Sequence, residues 1–179
     1  MKNNDVEKIL ITKEEVAKRI KELGKSISED YGDKDILCIG ILKGSVVFLA
    51  DLIREIENNV SIDFMTVSSY GNSTETSGNI TIKKDLDTDI SGKHVLIVED
   101  IIDSGITLSR LKELLLKRNP ASLKICTLLN KPERRLADID VDYIGFDIPN
   151  EFIIGFGLDY SEKYRELPFV GVLKREVYE

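Results

Sequence analysis

The sequence has one histidine, two cysteines and fewer basic than acidic residues, and each shortage narrows the reading. With 25 Lys and Arg against 32 Asp and Glu, the net charge of −7 argues against broad nucleic-acid binding, which needs basic side chains over phosphates. A small anionic ligand stays open, because a few backbone N–H groups and lysines can make a local positive site. Cys38 and Cys126 sit in the apolar runs "ILCIGI" and "LKICTLL" and read as reduced core residues, as a reducing compartment allows. His94 stands before a buried strand and reads as structural. No apolar run approaches the ~20 residues of a membrane span, and "MKNNDVEKIL" carries no signal-peptide core. The expectation is a cytoplasmic protein with no membrane partner. No internal repeat, low-complexity segment or linker breaks the 179 residues, which suit a single domain, 1–179.

What is present is an alternation of helical and extended patterns. In "TKEEVAKRIKELGKSISEDY", Thr12 stands three residues before Glu15, the spacing of a capping box, and Val16, Ile20, Leu23 and Ile27 form one stripe. "DILCIGIL" predicts a buried strand, "SVVFLADLIREIE" (45–57) a helix, and "SIDFMTVSSY" another strand. "GNSTETSGN" (71–79) is small and polar and joins two extended arms, so a flexible loop is expected over about 69–80. "HVLIV" is a further buried strand, followed by a helix with Leu108, Leu111, Leu114 and Leu115 on its apolar face. "SLKICTLLN", "VDYIGFDIP" and "FVGVL" complete the alternation. Continuous apolar strands separated by helix-length segments predict an α/β fold, with a mainly parallel sheet flanked by helices.

Ligands of such sheets collect beyond the carboxyl ends of the strands. The polar residues there are Lys43 and Gly44, Glu99 and Asp100, and Lys131. Taken singly each reads as a solvated charge; three strands ending this way point to a site. "DSGIT" (103–107) adds small residues before a helix, a turn whose backbone N–H groups can hold a phosphate with help from Ser104 and Thr107. Alone, the pentapeptide is better read as an ordinary helix start capped by Asp103 or Ser104. Glu99 and Asp100 just before it favour a phosphorylated sugar. Carboxylates accept hydrogen bonds from vicinal hydroxyls, help hold Mg²⁺ and stabilise positive charge building on a sugar ring. On this reading, the strand ends on carboxylates because its ligand becomes cationic as it reacts.

"VLIVEDIIDSGIT" (95–107) resembles the phosphoribosyl-diphosphate motif of type I phosphoribosyltransferases. "GILKGSVVFLADL", "VSSYGNSTETSG", "LLNKPERR" and "EFIIGFGLDYSEKYRELPFVGVL" are similar to the hypoxanthine-guanine branch, so the resemblance spans about residues 8–175. It implies transfer of 5-phosphoribosyl from phosphoribosyl diphosphate to N9 of a 6-oxopurine, releasing pyrophosphate, with Mg²⁺ as cofactor. It further implies a homo-oligomer, dimer or tetramer, and a small hood made from the N-terminal segment and about 149–179.

Position by position, the resemblance makes Glu99 and Asp100 the holders of ribose hydroxyls and metal. Asp103, Ser104, Gly105, Ile106 and Thr107 form the 5′-phosphate cup, and Asp103 faces purine N7 as general acid/base. Lys131 donates to O6, Phe152 stacks on the base and Ile153 meets its edge through the backbone. Asp159 sits by the pyrophosphate-side Mg²⁺ and Arg165 contacts pyrophosphate. Lys43 and Gly44 offer backbone donors to pyrophosphate after a Leu42–Lys43 bond that is often cis in this family. Ser69 and Tyr70 close over the site. Without the resemblance, Phe152 reads as core, and Asp159 with Arg165 as a surface ion pair.

Three rivals are weighed. Lys131 argues against an adenine enzyme, because an amino group at C6 repels a lysine donor. An RNA-binding regulator on the same fold needs a basic surface that this charge balance does not support. A nucleotide-sensing module has no use for Asp103 and Lys131 together.

Overall fold

In a computed structural model describing residues 2–69 and 80–179, the chain begins with a short turn of helix and strand β1 (Val6–Ile11). Helix α1 (Lys13–Tyr31), strand β2 (Ile36–Ile41), helix α2 (Val46–Leu52) and strands β3 (Val60–Ser69) and β4 (Ile80–Lys84) follow. Next come β5 (His94–Ile102), α3 (Ile106–Leu116), β6 (Ser122–Asn130), β7 (Tyr143–Asp147), β8 (Ile153–Ile154), β9 (Val170–Leu173) and the final turn α4 (Arg175–Tyr178). Six strands form one sheet in the order β4-β3-β2-β5-β6-β7, parallel throughout except for β4 at the edge.

The period-two alternation of a strand sorts the core into two layers. Cys38, Leu96 and Val98 face one side, against Val16, Ile20, Leu23 and Ile27 of α1 and Phe48, Leu49 and Leu52 of α2. Leu37, Ile39, Val95 and Ile97 face the other, against Leu108, Leu111 and Leu115 of α3. Both faces of the sheet are thereby covered, which is why its strands are continuously apolar. Helix α1 starts as its sequence predicts: Thr12 Oγ1 accepts from Glu15 N at 3.3 Å, and Glu15 Oε2 accepts from Thr12 N at 2.8 Å.

Two expectations change. The helix expected over 45–57 stops at Leu52, and the chain tightens into turns in which Arg54 N and Glu55 N donate to Asp51 O and Leu52 O. The carbonyl of Glu55 rests on α1 at Gly24, where an added Cβ would lie 2.5 Å from it; Ile56 is still buried, so the apolar period continues without the helix. "FVGVL" forms β9, the middle strand of a separate antiparallel sheet, β1-β9-β8, built from both ends of the chain where the hood is expected. Strand β5 does not end at Glu99 and Asp100 but runs on to Ile102.

Cys38 and Cys126 are buried free thiols, and burial pushes the Cys38 thiol up to about 12. His94 Nδ1 lies 2.8 Å from Ser122 Oγ and its ring meets Tyr31 edge-on, a structural setting. Among the described residues, no helix is long and apolar enough to cross a membrane.

Candidate active site

Strand β2 passes through α2 to β3 on its left, while β5 passes through α3 to β6 on its right, with the two helices on opposite faces. The chain therefore diverges between β2 and β5, the point where open α/β sheets form a crevice at their carboxyl ends. The ladder shows the opening directly. β5 pairs with β2 only as far as Val98, whereas on its other side it pairs with β6 to Ile102 and Asn130.

Glu99 and Asp100 occupy the part of β5 that has lost its β2 neighbour. The turn after β2 moves into the gap: a Cβ on Gly44 would lie 1.6 Å from Asp100 Oδ2, so only glycine lets the backbone approach this carboxylate. Gly157, with φ of +102°, closes on the other side of the same turn, and a Cβ there would stand 2.1 Å from Gly44 O. The peptide bond between Leu42 and Lys43 is cis.

Both carboxylates are costly to ionise. Among the described residues, none gives buried Glu99 Oε2 a hydrogen bond. Burial, and then the neighbouring Asp100 charge, push the Glu99 carboxyl well above the usual carboxylate range. Burial also raises Asp100, to about 6, against the pull of the Ile101 N–H and of Arg165. Such groups await a positive or hydrogen-donating ligand. Among the described residues no three His, Cys, Asp or Glu side chains converge as a metal cage. Two adjacent carboxylates, one with a buried oxygen that those residues leave unpartnered, fit Mg²⁺, which takes one or two carboxylates and completes its shell with substrate and water.

Beyond Ile102 the chain turns into α3. Gly105 holds the helix N-cap position in the left-handed region, φ 77°, with no side-chain cap. Neither Asp103 nor Ser104 caps the helix in the ordinary way, although Ile106 N reaches Ser104 Oγ at 3.4 Å. A cavity of about 320 Å³ lies over this turn, lined by Ser68, Glu99, Asp103, Ser104, Gly105 and Thr107 among others. It joins a helix start, hydroxyls and a carboxylate in one place, as an anionic sugar requires.

A second cavity, about 730 Å³, lies between the ends of β5 and β6 and the small antiparallel sheet. Ile101, Asp103 and Lys131 line one side, and Phe152, Ile153 and Val172 another. Lys131 is buried; its backbone N–H donates to Ile102 O at 3.0 Å and its Nζ to Glu151 O at 2.7 Å. Burial lowers its pKa, partly offset by the Asp103 charge. Asp103 Oδ1 accepts from Arg134 Nε at 2.6 Å. Phe152 is not core: it is 36 % exposed and opens into this cavity.

Asp159 and Arg165 form a half-buried pair rather than a solvated one, Oδ1 to Nη2 at 2.8 Å. Arg165 Nη1 also donates to Gly157 O, while its buried Nε has no partner among the described residues. Asp159 Oδ2 accepts from Glu162 N, so both oxygens of this carboxylate are engaged. The Lys43 ammonium lies on the Glu162 carboxylate at 3.0 Å, near the same rim.

Residues 6–161 match the phosphoribosyl transferase domain family. The chain belongs to the phosphoribosyltransferases. It is 54 % identical over 179 residues to the hypoxanthine-guanine phosphoribosyltransferase of Bacillus subtilis, covering 100 % of this chain and 99 % of the relative. It is 52 % identical to that of Streptococcus agalactiae, with 99 % of each covered. A crystal structure of a Staphylococcus aureus hypoxanthine phosphoribosyltransferase superposes with a TM-score of 0.96 at 50 % identity, covering 99 % of this chain and 97 % of the other. One of a Bacillus anthracis hypoxanthine-guanine phosphoribosyltransferase, holding HEPES in its active site, gives 0.91 at 51 % identity, with 94 % and 99 % covered.

In this phosphoribosyltransferase, Glu99, the helix-start turn, Lys131, Phe152 and Ile153 gather around two cavities that share Ile101 and Asp103, and Asp100 lies against Gly44 beside them. Lys43, Gly44, Asp159 and Arg165 form the adjoining rim. Tyr70 and the flexible-loop expectation over 71–79 lie outside the described residues, as does the side chain of Ser69. Residues the sequence reading passed over are Arg134, on Asp103, and Arg135, whose Nε donates to Asp103 O and whose Nη2 donates to Asn130 Oδ1. The doubled arginine of "KPERR" right after a site-forming strand was the available signal. Glu151, Arg175 and Tyr178 of the larger cavity gave none.

Proposed function

We propose that this phosphoribosyltransferase is a purine salvage enzyme that moves 5-phosphoribosyl from phosphoribosyl diphosphate to N9 of hypoxanthine or guanine, giving IMP or GMP and pyrophosphate. The observation that carries the reading is the shared wall. An anion cup with two carboxylates and a cavity with a lysine donor and an aromatic ring meet at Asp103. One ligand fits the first, a planar base with an oxo group fits the second, and the bond between them forms where they join.

In this reading the 103–107 turn binds the 5′-phosphate and Glu99 and Asp100 hold the ribose hydroxyls. Lys131, already fixed on Glu151 O, uses a remaining N–H to donate to O6. The C1′–oxygen bond to diphosphate breaks, the N9–C1′ bond forms, and the proton displaced from the purine goes to Asp103. Positive charge on the ribose ring is stabilised by the two buried carboxylates. Glu99 and Asp100 would hold Mg²⁺, which would supply countercharge to the diphosphate. Arg165 and the backbone at Lys43 and Gly44 bind that leaving group, and Asp159, paired with Arg165, would sit by the diphosphate-side Mg²⁺. By the same family resemblance the chain assembles into a homo-oligomer, dimer or tetramer. Two buried free thiols suit the cytoplasm.

The test is purified protein with Mg²⁺, phosphoribosyl diphosphate and each purine base in turn, with light scattering for the assembly. IMP and GMP from hypoxanthine and guanine, and no product from adenine, are expected. Product from adenine alone, or none from any base, would overturn the reading.

A further inference from the structure

The ring that faces the purine in this reading is not free to turn. Phe152 stands at the start of β8, and the ring of Tyr178 stacks on it with centroids 4.8 Å apart and planes 22° from parallel. Tyr160 meets it edge-on at 5.5 Å and 87°. Tyr178, the last residue of α4, lines the same 730 Å³ cavity.

The support behind Tyr178 comes from the far side of the small sheet. Ile153 and Val172 join the main core, whereas Ile154, Leu167, Leu173 and Tyr164 form a separate cluster. Tyr160, Val177 and Tyr178 pack against that outer cluster. The segment is also tied to the other end of the chain: Lys174 N donates to Asp5 O at 2.9 Å, and Tyr164 Oη donates to Asp5 Oδ2 at 2.7 Å. Tyr178 thus stands on a fixed base and stacks on one face of Phe152.

A half-exposed phenylalanine that must present one face to a planar ligand loses rotational freedom on binding unless something already holds it. Offset or near-parallel stacking on a second ring supplies that restraint before the ligand arrives. We propose that Tyr178 is a positioning residue of the base site, fixing the Phe152 ring so that it meets the purine. The C-terminal turn is then part of the specificity machinery, although it touches none of the reacting atoms. The inference rests on the base-site reading given above.

The experiment is steady-state kinetics on the full chain with hypoxanthine and phosphoribosyl diphosphate varied separately, alongside melting curves. Tyr178→Ala is expected to raise KM for hypoxanthine roughly 3–10-fold, the scale of one aromatic pair, and to leave kcat and KM for phosphoribosyl diphosphate within about twofold. Tyr178→Phe, which keeps the ring and drops the hydroxyl, should restore the wild-type value. In a Phe152→Ala background Tyr178→Ala should add nothing further, because its effect passes through that ring. An unchanged KM for hypoxanthine in Tyr178→Ala, additive losses in the double variant, or equal losses for both substrates with a lowered melting temperature would each overturn the proposal. A wild-type chain that turned over no 6-oxopurine would instead remove the base-site reading, and this inference with it.

Discussion

Residues 94–98 and 99–102 belong to one strand but are built for different ends. The first stretch has a parallel neighbour on each side, and Val95, Leu96, Ile97 and Val98 are fully buried. The second keeps only β6 and carries two carboxylates that burial makes reluctant to ionise, one with an oxygen unpartnered among the described residues. Each residue of the apolar stretch contributes roughly 1.5–3 kcal/mol by leaving water, and the carboxylate stretch gives part of that back. A strand can carry such unsatisfied charge because its first half is held so firmly. Changes in the far half should therefore alter chemistry or even gain stability, and changes in the scaffold should lose stability and spare chemistry.

The largest expected effect is at the end of that strand. Asp103 does not cap α3, since Gly105 holds the cap position and the Asp103 carboxylate lies on Arg134. Asp103→Asn should therefore leave the melting temperature nearly unchanged. If Asp103 takes the purine proton, single-turnover chemistry should slow by roughly 10²–10⁴-fold, the usual range for a general acid/base. A wild-type chemical step in a stable variant would remove Asp103 from the mechanism and leave the comparison without its sharpest contrast.

Lys131→Ala should come next. The ammonium holds Glu151 O and, in the proposed complex, the purine oxygen. Loss of a buried charged donor to substrate costs on the order of 1–3 kcal/mol, or about 5- to 150-fold in kcat/KM for hypoxanthine. The loss should be greater than any loss in phosphoribosyl diphosphate binding, measured by calorimetry. Equal weakening of both substrates would mean that the lysine holds the β6 end together rather than reading the base.

Glu99→Gln tests the stored cost from the opposite direction. A carboxyl whose pKa is raised in the folded chain adds stability below its unfolded value near 4.5, and that contribution is lost as pH rises through the folded value. The ligand-free wild type should therefore lose stability relative to Glu99→Gln as pH climbs from about 5 to 8, while the variant binds Mg²⁺ and phosphoribosyl diphosphate more weakly. Scanning calorimetry at both pH values, without ligand, gives the answer. Parallel pH curves for the two proteins would show that Glu99 carries no such cost.

How far these contrasts were legible beforehand depended on the range over which each signal acts. The capping box of α1, the leucine stripe of α3 and the buried strands follow from local spacing, and the structure agrees with them. The end of α2 did not follow, because Ile53 and Ile56 continue the apolar period while the Glu55 carbonyl comes to rest on Gly24, a contact between distant segments. Gly44, Glu99 and Asp100 were legible as candidates, and "DSGIT" could be read as either a cap or a cup. Only the approach of Gly44 to Asp100 and the absent side-chain cap at Gly105 separate those readings. Tyr178 left no trace in the pattern, since its partner ring lies far away in sequence and meets it through a sheet that joins both chain ends.

The smallest effect belongs to the scaffold. Thr12 lies at the start of α1, its hydroxyl accepting from Glu15 N, while its backbone N–H and its hydroxyl both donate to Glu15 Oε2, and these last two bonds hold the Glu15 carboxyl below its usual range. Thr12→Ala removes the side-chain half of the box and should cost about 1 kcal/mol, a drop of roughly 2–4 °C in Tm for a chain of this size. Helix α1 packs on the apolar half of the sheet through Val16, Ile20, Leu23 and Ile27, away from both cavities. Turnover per folded molecule should thus equal wild type at 25 °C. The sign of the pH effect also opposes that of Glu99: a lowered folded pKa gives stability above the unfolded value near 4.5, lost as pH falls. The Tm gap between wild type and Thr12→Ala should accordingly narrow below about pH 4. A variant that melted normally yet lost hypoxanthine turnover would join α1 to the site and erase the division between scaffold and chemistry on which the other three predictions rest.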